Sequence, residues 1–163
     1  RDMFLFSFYT RGMSFIDMAY LKKSDLKNGT ITYRRRKTGQ QLTVKWEKCM
    51  EDIIAKYREN TATRYLLSII TNPCSDERTQ YRNAICRINV ALKEVVGLAG
   101  LNIPLTMHVA RHCWASVAKS KNIPLSVISE GMGHDSEETT RIYLASLDTS
   151  VVDKANSLIL KDF

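Results

Sequence analysis

The sequence predicts a mostly α-helical fold with one small antiparallel β-hairpin or sheet, which is an α+β class. Apolar residues recur at helical spacing through most of the chain, whereas a short stretch near residue 30 alternates apolar and polar residues. The 163 residues suffice for a hydrophobic core, and no repeat or Pro/Gly/Ser-rich linker divides them. We therefore expect residues 1–163 to form a single domain.

The first half of the chain contains a predicted helix, a hairpin and a second helix. Residues 2–20 have a helical apolar rhythm, and residues 47–60 are predicted to form the second helix. Between them, the β-rich stretches 30–36 and 41–46 flank a short turn, which is typical of a hairpin. The apolar run 65–70 fits either a helix or a strand.

The second half contains helical segments that start at candidate capping residues. Residues 150–161 carry an apolar stripe, which indicates an amphipathic helix that docks on another surface. The other predicted helices are 77–98 after Ser75-Asp76, 106–121 beginning at Thr106, 124–131 beginning at Pro124 and ending at Gly131, and 136–145 beginning at Ser136.

The composition limits the partner and the location. The chain has 24 Lys and Arg against 17 Asp and Glu, a net charge of +7, which permits a polyanionic partner. No apolar run reaches the ~18 residues of a membrane span, so we expect a soluble, cytoplasmic protein without a membrane partner. The chain begins with Arg1 and an apolar stretch, so we expect it to be a piece of a longer protein.

The four cysteines are widely separated in the sequence and include no C-x-x-C pair. This spacing argues against a zinc site and does not imply a disulfide framework. We expect four reduced structural thiols and no metal or other cofactor.

The most informative pattern consists of His108, Arg111, His134 and Tyr143. Phosphoryl transfer needs a nucleophile, a cation that stabilises the growing charge on phosphate, and groups that move protons near neutral pH. Tyr143 supplies a hydroxyl, Arg111 a planar set of donors, and the two histidines supply imidazoles. His108 and Arg111 are three residues apart at a predicted helix start, so they share a face that favours an anion.

Each part of this pattern also has an ordinary structural explanation. An isolated His-x-x-Arg is most often a surface pair, and Gly131-Met132-Gly133 fits a helix end. One tyrosine among seven is more often a core or surface residue than a nucleophile. The order and spacing of the parts together favour an enzyme that cuts DNA through a tyrosine.

Taken together, His108-Val109-Ala110-Arg111, Gly133-His134 and Tyr143 resemble the signature of the tyrosine recombinase (phage integrase) catalytic domain. Integrases of mobile elements, including conjugative transposons, are the subgroup that we suspect. The resemblance covers almost the whole chain. It implies a catalytic lysine in the hairpin turn, which Lys37 matches, and a first catalytic arginine with a nearby acidic residue within 9–21.

The sequence departs from the family pattern at that first arginine. With Asp17 aligned to the acidic residue, the usual arginine position falls on Ser14, and Arg11 lies three residues earlier. Residues three apart share a helical face, so we expect Arg11 to take the first-arginine role. The alternative is that Arg11 pairs with a surface carboxylate and that Arg111 alone binds the phosphate.

The resemblance implies cleavage of DNA without metal or ATP. Tyr143 would attack a phosphodiester to give a 3′-phosphotyrosine and a free 5′-hydroxyl, while Arg11 and Arg111 stabilise the growing negative charge. The other implied roles belong to Lys37, which protonates the 5′-oxygen, His108, which helps to accept the tyrosine proton, and His134, which donates a hydrogen bond to the phosphate.

Five further residues have supporting or peripheral roles in this interpretation. Asp17 is expected to orient an arginine, and His112 either supports the site or is a structural histidine. The cluster Arg34-Arg35-Arg36 is a solvated strand face, a localisation-type signal or a set of DNA-backbone contacts. Alternation along a strand puts Arg34 and Arg36 on one face and Arg35 on the other, so the three cannot all contact one DNA backbone.

Double-stranded DNA is the expected partner. In recombinases that this chain resembles, the last helix often packs on a neighbouring subunit of a tetramer on DNA. Residues 150–161 are expected either to dock in this way in the full-length protein or to fold back on their own domain, and the isolated domain is expected to be a monomer. Three rival functions are a type IB topoisomerase, a non-catalytic DNA-binding module and an unrelated basic helical interaction domain.

Overall fold

The computed structural model describes residues 1–57, 63–102 and 104–144, except for the side chain of Tyr143. Within them the fold is mostly helical with one small antiparallel sheet, as the sequence predicts. The helix predicted for 150–161 lies outside the described residues. The elements are α1 (Asp2–Tyr9), α2 (Phe15–Ala19), a 3-10 turn (Lys23–Asp25), β1 (Leu26–Lys27), β2 (Thr30–Arg34), β3 (Gln41–Lys45), α3 (Lys48–Tyr57), α4 (Glu77–Leu98), α5 (Met107–Ser120), α6 (Leu125–Met132) and α7 (Glu137–Leu144).

The sheet has the order β1-β2-β3 and contains the predicted hairpin. Strands β2 and β3 pair from Thr30 opposite Lys45 to Arg34 opposite Gln41. Their alternate residues are buried against the core, namely Ile31, Tyr33, Leu42 and Val44. The sequence does not predict β1, because two residues are too few to show alternation.

The single helix predicted for 2–20 is wrong, because the backbone breaks between α1 and α2. Arg11 and Gly12 have positive φ angles of 60° and 73°, a left-handed conformation that no right-handed helix accommodates. Thr10 ends α1 and its hydroxyl donates to the carbonyl of Phe6, 2.7 Å away. Ser14 then caps α2, where its Oγ accepts from the backbone N–H of Asp17 at 3.3 Å. The break places a tight turn where the sequence pattern predicts a helical face.

The core has two parts. The larger packs α1, α2, the sheet and α3 against the segment 65–70 and the inner face of α4. The segment 65–70 is neither helix nor strand, although most of it is buried; Tyr65 makes an isolated bridge to Lys22. The smaller part lies between α5, α6 and α7 and contains Ala115, Ala118, Ile128, Met132 and Leu144.

Three of the predicted helix ends are correct or nearly so. The Oδ2 atom of Asp76 accepts from the N–H of Thr79 at 2.7 Å and caps α4. Ser136 accepts weakly from the N–H of Thr139 at 3.4 Å at the start of α7. The end of α6 lies at Met132 rather than at Gly131, and Gly133 is the left-handed residue that follows.

Other expectations from the sequence are corrected by the structure. Thr106 makes no side-chain cap at α5, where Asn89 supplies the acceptor instead. Cys74 and Cys86 are exposed, so these two thiols do not belong to the core. In the part of the chain that the structure describes, no helix combines the length and apolarity of a membrane span.

Candidate active site

Arg111 joins three segments of the chain. It lies on α5 and is buried, with 6% of its surface exposed. Its Nη1 atom donates to the carbonyl of Gly12 at 2.8 Å, and its Nη2 atom donates to the carbonyl of Met132 at 2.6 Å. The guanidinium is therefore fixed between the turn before α2 and the end of α6.

Arg11 lies beside Arg111, but not on a helix shared with Ser14. It is half-buried in the left-handed turn, and a Cβ atom added to Gly131 would lie 3.7 Å from the Cδ atom of Arg11. The side chain therefore runs along the end of α6, which Arg111 also contacts. The helical-face argument for Arg11 is wrong, yet the fold brings both arginines to the same turn.

His134 follows the left-handed residue Gly133. Its backbone N–H donates to the carbonyl of Ser129 at 3.1 Å, and its Nδ1 atom is 2.7 Å from Oγ1 of the fully buried Thr140. Burial, followed by the charges of Arg111 and Arg35, lowers the pKa of His134 to about 4. The imidazole is therefore neutral at pH 7.

His108 and His112 contact one another on α5, with ring centroids 4.8 Å apart in an edge-to-face arrangement. Burial lowers the pKa of both side chains, and Arg111 lowers each further. The charge of Lys37 also lowers the pKa of His108. Both imidazoles therefore favour the neutral form, and His112 has a direct contact within the site.

Lys37 is exposed in the turn between β2 and β3. Its charge contributes to lowering the pKa of both His108 and His134, so the turn lies on the side of the molecule where those imidazoles meet. The turn is closed by hydrogen bonds between Arg35 and Gln40 and between Gly39 and Arg35, both 2.8 Å. These bonds give the segment that carries Lys37 a defined conformation.

Asp17 holds this turn rather than an arginine side chain. The carboxylate is buried; Oδ1 accepts from the backbone N–H of Arg36 at 2.9 Å, and Oδ2 accepts from the hydroxyl of Ser14 at 2.6 Å. The expectation that Asp17 orients an arginine guanidinium is therefore wrong within the described residues. Instead, Asp17 ties the start of α2 to the residue before Lys37.

The three arginines before Lys37 have different environments. Arg34 and Arg36 are exposed and Arg35 is buried, which confirms the predicted alternation. The guanidinium of Arg34 donates to the carbonyl of Gly39 at 2.7 Å, and that of Arg36 lies 3.9 Å from the ring centroid of Tyr20. The guanidinium of Arg35 is directed to the carbonyl of Gly133, so of the three DNA-backbone candidates only Arg34 and Arg36 are exposed in this structure.

Tyr143 belongs to α7, three residues after Thr140, and its side chain lies outside the described part of the structure. Sequence reasoning missed Gly12 and Thr140, and it gave Arg35 a different role, as a candidate for contact with the DNA backbone. Gly12 had a visible signal, since a glycine inside a helical pattern indicates a break. Thr140 had no such signal, although its contact with His134 spans only six residues, and the contact of Arg35 with Gly133 depends on the tertiary fold.

Residues 3–150 match the sequence model of the Phage integrase family. A comparison with curated proteins gave no match. The crystal structure of XerA recombinase has a TM-score of 0.68 at 21% identity, over 96% of this chain and 56% of that chain. XerH site-specific recombinase bound to palindromic difH substrate, in a post-cleavage complex, has a TM-score of 0.69 at 21% identity. The match covers 96% of this chain and 45% of that chain.

The Tn1549 transposon integrase in complex with a circular intermediate DNA has a TM-score of 0.64 at 14% identity, over 98% of this chain and 57% of that chain. The chain thus spans about half the length of these three structures. The fold of this chain is the fold of these recombinase and integrase structures. The chain belongs to the phage integrase family, as its motif predicts.

Proposed function

We propose that this chain is the catalytic domain of a site-specific recombinase that cuts and rejoins double-stranded DNA through a covalent 3′-phosphotyrosine. The observation that carries the proposal is the convergence of cationic and imidazole side chains from separate elements. Arg11 comes from the turn after α1, Lys37 from the hairpin, and Arg111 from α5. His108 and His134 complete the set, and Tyr143 follows on α7.

In the proposed reaction, the hydroxyl oxygen of Tyr143 forms a bond to phosphorus while the bond from phosphorus to the 5′-oxygen breaks. Arg11 and Arg111 stabilise the negative charge that grows on the non-bridging oxygens. His108, whose lowered pKa favours the neutral form, accepts the tyrosine proton, and Lys37 gives a proton to the departing 5′-oxygen. The phosphotyrosine linkage retains the energy of the broken phosphodiester bond, so the rejoining step needs no nucleotide and no metal.

His134 acts as a hydrogen-bond donor in this scheme and not as an acid or base. Its lowered pKa keeps the imidazole neutral, and a neutral imidazole donates from only one ring nitrogen. When the hydroxyl of Thr140 donates to Nδ1, the proton lies on Nε2, which can then bond a phosphate oxygen. With the hydroxyl of Thr140 as the donor, this contact holds the tautomer that the proposal requires.

The partner and assembly follow from the same proposal. Double-stranded DNA is the substrate, and the net charge of +7 favours its phosphate backbone. The whole protein would act as a tetramer on DNA, with 150–161 docking on a neighbouring subunit. The tetramer and the docking of 150–161 are proposed for a full-length protein, and the matching structures are about twice as long as this chain.

A nicked suicide substrate tests the proposal. When the nick lies beside the scissile phosphate, the short product diffuses away and the covalent adduct accumulates. We expect an adduct with the parent chain and none with Tyr143→Phe, which deletes one oxygen and retains DNA binding. Absence of adduct from a folded parent that binds DNA would favour the non-catalytic module.

Strand transfer separates the recombinase from a type IB topoisomerase. A second duplex with a free 5′-hydroxyl is added to the trapped adduct of the full-length protein, and the joined product is measured on a denaturing gel. The proposal expects transfer between two duplexes by the full-length protein. Resealing within one duplex alone would support the topoisomerase.

A further inference from the structure

Arg35 is buried, unlike its two arginine neighbours, and reaches across the molecule. Its Nη1 atom donates a hydrogen bond to the carbonyl of Gly133, a residue 98 positions later in the sequence. Only 6% of the Arg35 surface is exposed. A buried guanidinium loses its hydration, so an arginine is a costly choice for a position that needs only to fill space.

The hairpin and the turn after α6 are in direct contact at this point. A Cβ atom added to Gly133 would lie 2.8 Å from Cδ1 of Leu42 and 2.9 Å from Cδ of Arg35. It would also lie 3.1 Å from Oε1 of Gln40. Three residues of the hairpin therefore pack against one glycine, and a displacement of either segment displaces the other.

This contact joins two residues of the proposed active site. Lys37 follows Arg35 by two positions, and His134 directly follows Gly133. The other side of the Lys37 turn is held by the bond between Arg36 and Asp17. The turn is thus fixed from two directions, by α2 on one side and by the His134 turn on the other.

We propose that Arg35 is a positioning residue that keeps Lys37 in register with His134, so that the leaving oxygen and the phosphate are contacted together. The inference rests on the proposed function and deepens it. Without the bond to Gly133, the exposed Lys37 turn loses its tie to the His134 turn, while its contacts with Asp17 and Tyr20 remain. The rate of protonation of the 5′-oxygen should then fall more than the rate of attack by the tyrosine.

The test compares Arg35→Met with the parent chain on two suicide substrates. Methionine keeps most of the buried length but removes the donors. One substrate has an ordinary phosphodiester, and the other has a 5′-bridging phosphorothiolate, whose sulfur leaves without a proton. We expect cleavage of the phosphodiester to fall about 10- to 100-fold, which is part of the roughly 100- to 10,000-fold that general acid catalysis contributes, and cleavage of the phosphorothiolate to fall less than about 3-fold.

Two variants serve as comparisons. Lys37→Ala, which removes the proposed acid, should show the same selective rescue by sulfur. Arg82→Met changes an exposed arginine of α4, outside the hairpin, and should leave the ratio of the two cleavage rates unchanged. Equal losses on both substrates for Arg35→Met, or no loss on either, would overturn the positioning role.

A measurement on the free protein keeps the inference separate from the proposed function. NMR titration of the His134 ring should show a higher pKa in Arg35→Met, because a neighbouring positive charge is removed. The amide signals of Gly133 and of the Lys37 turn should shift together. If the variant folds and only the hairpin signals move, the proposed link between Arg35 and the His134 turn is wrong. If the parent chain forms no adduct, the proposed function is wrong, and the NMR result still tests the link.

Discussion

Gly12 determines where the two arginines lie. It occupies the left-handed turn with φ at 73°, and its carbonyl accepts a hydrogen bond from Arg111. A Cβ atom at this position would lie 2.8 Å from the Cα atom of Arg111, closer than real Cβ contacts allow. The absence of a side chain therefore lets α5 approach the turn that carries Arg11.

Gly12→Ala should damage both stability and cleavage. We expect a loss of about 2–5 kcal/mol of unfolding free energy, from the left-handed penalty and from overpacking against Arg111. Urea denaturation measures the loss. Gly29→Ala is the matched control, because Gly29 has φ at 71° and nothing within 4 Å of its added Cβ. A Gly12→Ala loss no larger than the loss in the control would contradict the close approach.

The histidines with lowered pKa values should make the free protein less stable in acid. The pKa of His134 is about 4 in the folded protein and near 6.5 when unfolded. Between these values the unfolded state binds more protons, so stability is fully present above about pH 6.5 and falls as the pH drops toward 4. The lowered pKa values of His108 and His112 act in the same direction.

His134→Gln removes one part of this dependence. We expect the difference in unfolding free energy between pH 7 and pH 5 to be smaller in His134→Gln than in the parent chain. Urea denaturation at both pH values measures it, and glutamine retains a side chain that can bond Thr140. An unchanged pH dependence would mean that His134 titrates normally in the folded protein.

At the residue scale, the sequence proposes which residues form the site but does not predict their geometry. His108 and Arg111 follow from local spacing on one helix, so the motif locates them directly. Arg11 lies in the turn that Arg111 contacts, but the argument that selected it assumes a helix where the backbone turns left-handed. The contact of Arg35 with Gly133 spans most of the chain, and no local pattern encodes it.

The start of α5 shows how one helix supports another. Thr106 makes no side-chain cap, and the N–H of Met107 instead donates to Oδ1 of Asn89 on α4 at 3.0 Å. Asn89→Ala should therefore cost about 0.5–2 kcal/mol, the usual cost of losing a cap. Thr106→Ala, the control, should cost less. Urea denaturation of both variants measures the two losses of unfolding free energy. A larger loss for Thr106→Ala than for Asn89→Ala would show that Thr106 is the cap.

At the element scale, helices with local end signals are predicted well. The helix α4 begins after its capping aspartate, and α6 ends beside its glycines, because those signals lie within a few residues of the ends. The segment 65–70 is different. Its apolar residues are continuous because the segment is buried against the larger part of the core. They show neither helical nor strand periodicity, so the sequence could not predict its conformation.

At the scale of the whole molecule, the exposed charge should govern DNA binding. Among the three arginines before Lys37, only Arg34 and Arg36 are exposed, whereas Arg35 is buried. A domain that contacts roughly 4–6 phosphates should bind DNA weakly, with an affinity that falls by about one power of salt concentration per contact. If Arg34 and Arg36 each contact a phosphate, glutamine at either position should reduce the salt slope by about one.

Arg35→Met provides the contrast within the same cluster. Its guanidinium is directed to the carbonyl of Gly133 and not to solvent, so its removal should leave the salt slope of DNA binding unchanged while cleavage falls. Fluorescence anisotropy with a labelled duplex, measured across a series of salt concentrations, gives the slope for the parent and the three variants. A slope that fell equally for Arg34→Gln, Arg36→Gln and Arg35→Met would place all three side chains on the DNA backbone. The buried position of Arg35 would then not persist on DNA, and the hairpin would have to turn outward when the duplex binds.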